Sequence, residues 1–579
     1  MENEVIKQAL KNCKDICNIN VSQAACFREK ECKYMIDCGL IVADEVIPIV
    51  IAIPEDWSRI LVDIYIEQYL AFPFIPHVDV KGKICLFDLE GILIDQNLGG
   101  ILLQSIARAK EIIIDGLNGK NRLDFIEEFD LYWCQLPGAR TAKFNIPDNQ
   151  KTQVVKFAEK CEKQRKSENF SKFSQRKENS HIYISQKSQD LKLYGIEESA
   201  IKNAIYVNIV MGDLLLPPDG RQKITEDYLQ SILAHADIEE LRKIISRTGD
   251  DKLFLFRIQQ PNKLIVYLGF FLRKCVILIE GETCKINKIS SIKPVVIDRI
   301  DKKYLMSRSS DSNNVLGYKK ILLVGCGSLG GYIANELVKA GVESIMLVDK
   351  DHLYEANIFR HLLGMEYVGM YKSVALQKYL EKNIPNLKLA TLEDGIENAI
   401  QEGNIEFQHY DMIISAIGNH NANRWINEYM FRNKIRTPVI FAWNEVLGIG
   451  NHIAYIKYGG KGCYECFFNR DEDTLELYDC TSYSQPGQNN VRKLRGCGSA
   501  FIPYGSTISL KTACMCLDTV KKVFENRYID NVIISSKSDE YYFNKAGLKL
   551  SDKYLNQTSD TKEYSGSQFG KKMCIICGE

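Results

Sequence analysis

The stretch ILLVGCGSLGGYIANELVKAG, residues 321–341, runs on through MLVDKD and EANIFRH and decides the reading of the C-terminal half. An apolar run ends at Gly325, Gly327 and Gly330 and opens directly into a helical pattern. Glycines in this spacing let the backbone approach a phosphate, and the helix start points free N–H groups at it. Asp349, at the end of the next apolar run, stands where a carboxylate can accept both ribose hydroxyls. From Lys319 onward strand and helix patterns alternate: KKILLVG, SLGGYIANELVKA, SIMLVD, YKSVALQKYLEKN, DMIISAI, NRWINEYMFRN, PVIFAW. That order predicts an α/β domain with a mostly parallel sheet covered by helices on both faces. The glycines alone suit a nicotinamide cofactor as well as ATP.

The residues after the turn favour ATP. Asn357 and Arg360 in EANIFR, and Lys372 in YKSVALQ, would bring two fixed cations and an amide toward the phosphates, more charge than a redox site needs for a pyrophosphate it never cleaves. With these residues the sequence resembles the ThiF/ubiquitin-activating superfamily, which adenylates the C-terminal carboxylate of a ubiquitin-like protein. The resemblance covers about 250 residues and implies a Rossmann-like adenylation domain. It also implies nucleotide contacts from Gly325, Gly327, Gly330, Asp349, Asp351, Asn357, Arg360 and Lys372, with Arg360 and Lys372 assisting the chemistry. One departure concerns magnesium: the family places an aspartate where DMIISAIGN has Gly418, which leaves Asp411, another acid, or phosphates and water to hold the metal.

The cysteines sort by spacing. GCYECFF and MCIICGE each contain a C-x-x-C pair, Cys463 with Cys466 and Cys574 with Cys577, and two such pairs can close a tetrahedral thiolate zinc site. Cys480 is a spare ligand and a rival nucleophile. Cys497, in LRGCGSAF, lies among small residues just before an apolar helix, where relatives of the superfamily keep the cysteine that attacks the acyl-adenylate. Cys514 and Cys516 fall within the helix and read as core.

At the front of the chain, FPFIPHVDVKGKICLFD places His77, Gly82, Ile84, Cys85 and Leu86 in a run that resembles the H-P-N…G-x-I-C-L signature of ubiquitin-conjugating enzymes. The resemblance implies an α+β domain in which Cys85 accepts the carried protein as a thioester. Val78 replaces the usual proline, Asp79 stands at the oxyanion-supporting asparagine, and the His-to-Cys spacing is short. Asp79 could instead orient or deprotonate an attacking amine. The run VIPIVIAI, with Pro48 inside it and Pro54 just after it, reads as an edge strand or as one with a turn at each end, rather than as a central strand.

Length and composition agree with a modular α/β protein. A chain of 579 residues exceeds one hydrophobic core. Its 74 basic and 74 acidic side chains give no field for drawing in nucleic acid or anionic lipid. No apolar run reaches the ~18 residues needed to span a bilayer, and MENEVIKQALKNCKD lacks a secretory layout. A cytoplasmic location follows as the expectation, with 19 cysteines kept as thiols or metal ligands. The expected domains are 1–150, conjugating-like; 151–190, a charged linker; 191–308, a central α/β domain open to reading as a degenerate, inactive adenylation fold; and 309–579, the adenylation domain with a zinc-bound tail.

The joined order resembles bacterial fusion proteins of CBASS antiphage operons, which attach a cGAS-like nucleotidyltransferase by its C-terminus to a target amine. The resemblance implies ATP, Mg2+ and Zn2+ as cofactors, a protein tail and a target amine as partners, and a homodimer. The rivals are a sulfur-carrier adenylyltransferase with an unrelated N-terminal appendage, a nucleotide-binding scaffold without catalysis, and an NAD-dependent oxidoreductase, for which no hydride-transfer apparatus is visible.

Overall fold

The computed structural model describes the chain except residues 1, 12, 25, 29, 44, 88–92, 95, 162–179, 282, 308–314, 385–386, 474, 489–491, 494–499, 502 and 579. It divides into two compact units, Met1–Leu305 and Met306–Glu579. Among the described residues no helix is long and apolar enough to cross a membrane.

The first unit begins with helix α1 (Glu2–Lys11) and an antiparallel sheet of β1 (Ile16–Gln23), β2 (Tyr34–Val42), β3 (Glu45–Ile53), β4 (Asp63–Ile66) and β5 (Lys83–Ile84), paired in that order. Helix α2 (Leu98–Leu117) lays Leu102, Ile106, Ala109 and Ile113 on it. Asn97 caps its start by accepting the Gly100 N–H at 3.1 Å. The strand β3 is not an edge: it pairs with β2 on one side and β4 on the other. Pro48 is tolerated because the β4 ladder begins only at Ile49, and the Pro48 carbonyl accepts Glu67 N–H beyond its end. Short helices α3 (Asp124–Glu127) and α4 (Phe129–Cys134) follow.

The central block corrects two expectations. Strands β6 (Arg140–Asn145), β7 (Gln153–Cys161), β8 (Ser180–Ser185), β9 (Lys202–Val210), β10 (Lys252–Gln259), β11 (Ile265–Arg273) and β12 (Ser291–Arg299) close into one barrel, ordered β8-β6-β12-β11-β10-β9-β7. Residues 151–190 are therefore not simply a linker, although 162–179 lie outside the described residues. Within β7, Val155 and Phe157 face the barrel core while Lys156 bonds Asn203, a period-2 alternation hidden by the count of lysines. Nor is 191–308 a separate sheet-and-helix adenylation fold, since it supplies only part of the barrel wall. Helices α5 (Glu226–Leu233) and α6 (Ile238–Ile245) pack outside it with α4. The Trp133 indole N–H of α4 donates to the Val295 carbonyl at 2.9 Å.

The second unit carries an eight-stranded sheet. Its strands are β13 (Lys320–Val324), β14 (Ser344–Val348), β15 (Lys388–Leu392), β16 (Met412–Ser415), β17 (Val439–Asn444), β18 (Gly450–Ile456), β19 (Val532–Lys537) and β20 (Thr561–Ser565). The order is β15-β14-β13-β16-β17-β18-β19-β20; the first five strands are mutually parallel and the last three antiparallel. Helices α7 (Ser328–Lys339), α8 (Lys372–Asn383) and α10 (Ser506–Phe524) cover one face, packed on Ile321 and Leu323. Helix α9 (His420–Arg432) covers the other, on Leu322 and Val324. Each of β13's alternate residues is thus buried, as a parallel strand covered on both faces requires. The chain leaves β13 toward β14 and later returns on its other side with β16, so a switch point opens at the carboxyl ends of β13 and β16, where such sheets bind ligands.

Candidate active sites

The glycine turn occupies that switch point. Gly325 has φ +93°, and a Cβ there would lie 3.0 Å from the backbone of Ala416 and Ile417 at the end of β16. At Gly330 a Cβ would sit 1.8 Å from the Gly325 carbonyl oxygen, so the helix start and the strand end approach as only glycine allows. Among the described residues, no side chain caps α7 at Gly327, and a Cβ on that glycine would meet nothing within 4 Å. The first N–H groups of α7 therefore face an open space with the positive end of the helix behind them.

Asp349, just past β14, ties this turn to its neighbour. Its Oδ2 accepts the Cys326 N–H at 2.7 Å and its Oδ1 the Asp351 N–H at 2.8 Å. Burial pushes the carboxyl up, while those amides and Lys372 pull toward the charged form. Lys372 starts α8, and its ammonium pairs with Asp351 Oδ2 at 2.9 Å while its own N–H donates to the Asp351 carbonyl. Asn357 accepts the Tyr354 N–H at 3.0 Å and closes the short turn that leads to Arg360. Asp349, Asp351, Asn357, Arg360 and Lys372 thus follow one another from the carboxyl end of β14 to the first residue of α8.

Two residues of this region escaped the sequence reading. His361 donates from Nε2 to the Cys326 carbonyl at 2.9 Å and accepts the Leu363 N–H on Nδ1 at 3.1 Å. Burial drives its pKa down to about 4, so it stays neutral and braces the turn from below. Ser328, the first residue of α7, meets the Tyr504 hydroxyl at 3.1 Å. His361 stood in view in EANIFRH, but a single histidine after an arginine gives no signal until the fold places it.

The magnesium alternatives narrow. Asp411 lies at the opposite end of the sheet: its carboxylate accepts the Lys320 N–H at 2.8 Å, at the start of β13. About 13 Å of strand separates that end from the glycine turn. Gly418 turns the chain with φ +69° into Asn419, which caps α9, and it offers no side-chain ligand.

The four expected zinc ligands converge. The sulfurs of Cys463, Cys466, Cys574 and Cys577 all lie within 4.8 Å of one another, with Cys463–Cys574 at 3.7 Å and Cys466–Cys577 at 3.5 Å. Zinc–sulfur bonds of about 2.3 Å in a tetrahedron place sulfurs about 3.8 Å apart, so the set fits a zinc ion. Hydrogen bonding to Cys466 pushes Cys463 up, whereas hydrogen bonds led by that of Cys463 hold Cys574 low: crowded thiols cannot all ionise without a cation. Cys480 stands outside this set; its N–H donates to the Phe467 carbonyl. Cys514 is exposed on α10 and Cys516 buried beneath it. Cys497 lies outside the described residues.

In the first unit Cys85 ends a tight hairpin. Gly82 N–H closes the turn on the Asp79 carbonyl at 2.9 Å, and Cys85 N–H donates to the His77 carbonyl at 2.8 Å. The short His-to-Cys spacing is this hairpin's length. Asp79 spends its Oδ1 on the N–H groups of Lys81 and Lys83, both at 2.8 Å, and so shapes the turn. Cys85 is exposed; surrounding protein and then Glu128 push its thiol up. His77 places Nε2 2.8 Å from Asp124 and Nδ1 3.0 Å from Glu128.

Residues 304–554 match the ThiF family, and residues 24–138 match the Prokaryotic E2 family B. Several curated relatives carry the name ATP-dependent ubiquitin transferase-like protein Cap2. That of Pseudomonas aeruginosa is 28% identical over 243 residues, covering 40% of this chain and 42% of the relative. That of Escherichia coli is 27% identical over 311 residues, covering 50% and 52%. The chain thus aligns with about half the length of these relatives. A crystal structure of E. coli MccB with ATP is 20% identical over 48% of this chain and 72% of that one, with a TM-score of 0.32.

Proposed function

From a chain in which a Prokaryotic E2 family B domain and a ThiF family domain are joined, we propose an enzyme that activates a protein's C-terminal carboxylate with ATP and ligates it to an amine. The union of an adenylation turn and a hairpin cysteine in one polypeptide is the observation that carries this reading; a sulfur-carrier enzyme would have no use for the second. ATP fits the second unit: the open start of α7 would take phosphate, Asp349 the ribose, and Lys372 and Arg360 the negative charge of the reacting phosphate. Magnesium would arrive with the nucleotide and be held by phosphate oxygens and water, since neither Asp411 nor Gly418 serves it. Zinc, held by the four converged cysteines, would fasten the tail and take no part in the chemistry.

In the relay, a carboxylate oxygen of the partner attacks the α-phosphorus and pyrophosphate leaves. The Cys497 thiolate then attacks the acyl carbon and releases AMP. Cys85 displaces Cys497 from the acyl group, and an amine nitrogen finally displaces Cys85 and forms the amide. Each step exchanges one acyl partner for another and replaces one difficult condensation by several easier ones. The partner is a protein with a free flexible C-terminus, of the cGAS-like nucleotidyltransferase or ubiquitin-like kind; the acceptor is a lysine amine. A cytoplasmic homodimer is the assembly this reading entails.

The test is pyrophosphate exchange into ATP in the presence of a candidate nucleotidyltransferase, followed by mass spectrometry of acyl adducts. Exchange that persists in Cys85→Ala, with the adduct held on Cys497 and no amide product, is the expected result. Absence of exchange with every tail offered, including the products of adjacent genes, would overturn the reading.

A further inference from the structure

The resemblance to the conjugating-enzyme signature draws attention to His77 and Cys85 but gives no role to the helical residues behind them. Asp124, Glu128 and Tyr132 recur every fourth residue across α3 and α4, and i→i+4 bonding carries on between the two helices, with Glu128 N–H on the Asp124 carbonyl at 2.9 Å. The three therefore share one face. Tyr132 is nearly buried, packed edge-on against Phe74 and Phe125 at 5.5 and 5.2 Å.

His77 is held from that face at three points. Its Nε2 meets Asp124 Oδ2 at 2.8 Å, its Nδ1 meets Glu128 Oε1 at 3.0 Å, and its main-chain N–H donates to the Tyr132 hydroxyl at 2.8 Å. Tyr132 in turn donates to the other Glu128 oxygen at 2.7 Å. A fourth bond leaves in the opposite direction, from the His77 carbonyl to Cys85 N–H. These bonds hold His77 at φ +63°, a left-handed conformation that a side chain of this bulk seldom adopts. A neutral imidazole has one N–H and could donate to only one of the two carboxylates; the observed bridge needs both ring protons. Hydrogen bonding to Glu128, then to Asp124, raises His77 above the ordinary histidine value against the cost of burial.

We propose that the His77 imidazolium, clamped by Asp124 and Glu128, is the positioning element that fixes the Cys85 hairpin, and that the hairpin is held only while His77 carries both ring protons. Asp124, Glu128 and Tyr132 face His77 from the helices, and Cys85, Asp79 and Lys83 share its hairpin. Lys83 is paired at 2.5 Å with Asp63 of β4, which leaves the two helix carboxylates as His77's counter-ions. His77, Asp124, Glu128 and Tyr132 are positioning residues here, acting on Cys85 through its backbone.

The test needs no partner protein. Histidine ring titration is followed in the full chain by NMR after labelling at Cε1, and hydrogen exchange of the Cys85 amide is followed over the same pH range and normalised to an unstructured reference peptide. His77 is expected to titrate above the ordinary histidine value. Protection of the Cys85 amide should fall about tenfold or more as His77 loses its proton, the worth of a hydrogen bond to a charged group. In Glu128→Gln both the ring titration and the break in protection should move to lower pH together. In His77→Asn, which tolerates a left-handed backbone, protection should be low and independent of pH. Protection that shows no break while His77 titrates, or a break that stays in place in Glu128→Gln, would overturn the proposal.

Discussion

Asp349 reaches back across the switch point to the glycine turn, its Oδ2 accepting the Cys326 N–H at 2.7 Å. One carboxylate thus fixes the turn and, in the proposed reaction, receives the ribose. Asp349→Ala removes a charged acceptor worth about 1.5–3 kcal/mol. ATP affinity, measured by calorimetry, should fall about tenfold to hundredfold. Unchanged affinity would mean that the nucleotide binds elsewhere.

His361 makes the second unit acid-sensitive. Its folded pKa of about 4 lies below the ordinary value of 6.5, so the unfolded chain binds the extra proton first. Stability is then fully present above pH 6.5 and is lost as pH falls toward 4. The shift corresponds to about 3 kcal/mol. Urea unfolding of the second unit at a series of pH values should show that decline, and a His361→Phe protein should lose the pH dependence along with the bond to Cys326. An equally steep decline in the variant would assign the effect to other groups.

Glu128 and His77 titrate in opposite directions. Burial works to raise Glu128, but hydrogen bonds from His77 and Tyr132 outweigh it and hold it below 4.5. Its contribution is present above that value and lost as pH falls through the lowered one. The His77 contribution is present below 6.5 and lost as pH rises through the raised one. The first unit should therefore be most resistant to thermal unfolding, with its highest melting temperature, between the two limits. Removing the Glu128 charge also relieves Cys85, so Glu128→Gln should speed alkylation of Cys85 by iodoacetamide near neutral pH, read by peptide mass spectrometry. No change in rate would separate Glu128 from the thiol.

Much of this was legible in the sequence, and the failures have physical causes. The 321–349 stretch carries its own turn chemistry, and glycines whose Cβ positions are blocked cannot be replaced without trace, so strand, turn and helix were all readable. The C-x-x-C pairs were readable because zinc demands a fixed spacing. The barrel was not: β7 hides Val155 and Phe157 among lysines, and its partners β8 and β9 are distant in sequence. Pro48 misled because a proline at a ladder's end looks in sequence like one at a sheet's edge. The Asp124–Glu128–Tyr132 face was missed since carboxylates at helical spacing ordinarily mark a solvated surface, and only His77 gives them another use.

Cys463 and Cys574 stand 3.7 Å apart across 111 residues of chain, so the metal they fit would fasten the tail to the unit. Metal analysis of the purified protein should find about one zinc ion per chain. Cys577→Ser should lower that content and expose the tail to limited proteolysis, while pyrophosphate exchange, which the proposed reaction assigns to the glycine turn, should be affected far less. Full zinc content in Cys577→Ser would exclude this site.

The glycine turn offers the sharpest contrast between fold and ligand. In Gly330→Ala a methyl group must occupy a point 1.8 Å from the Gly325 carbonyl, against backbone that cannot swing aside, so turn and helix must separate. Gly327→Ala has no such conflict: its φ of −76° suits any residue, and among the described residues no atom lies within 4 Å of the added carbon. The expected result is a Gly330→Ala protein with a lowered melting temperature and no ATP binding. Gly327→Ala should melt like the wild type yet bind ATP more weakly, because its methyl group projects into the space through which a phosphate must approach the α7 N–H groups. If Gly327→Ala bound ATP at full strength, the open space before α7 would not be where the phosphates sit, and the adenylation chemistry would have to be placed elsewhere on the sheet.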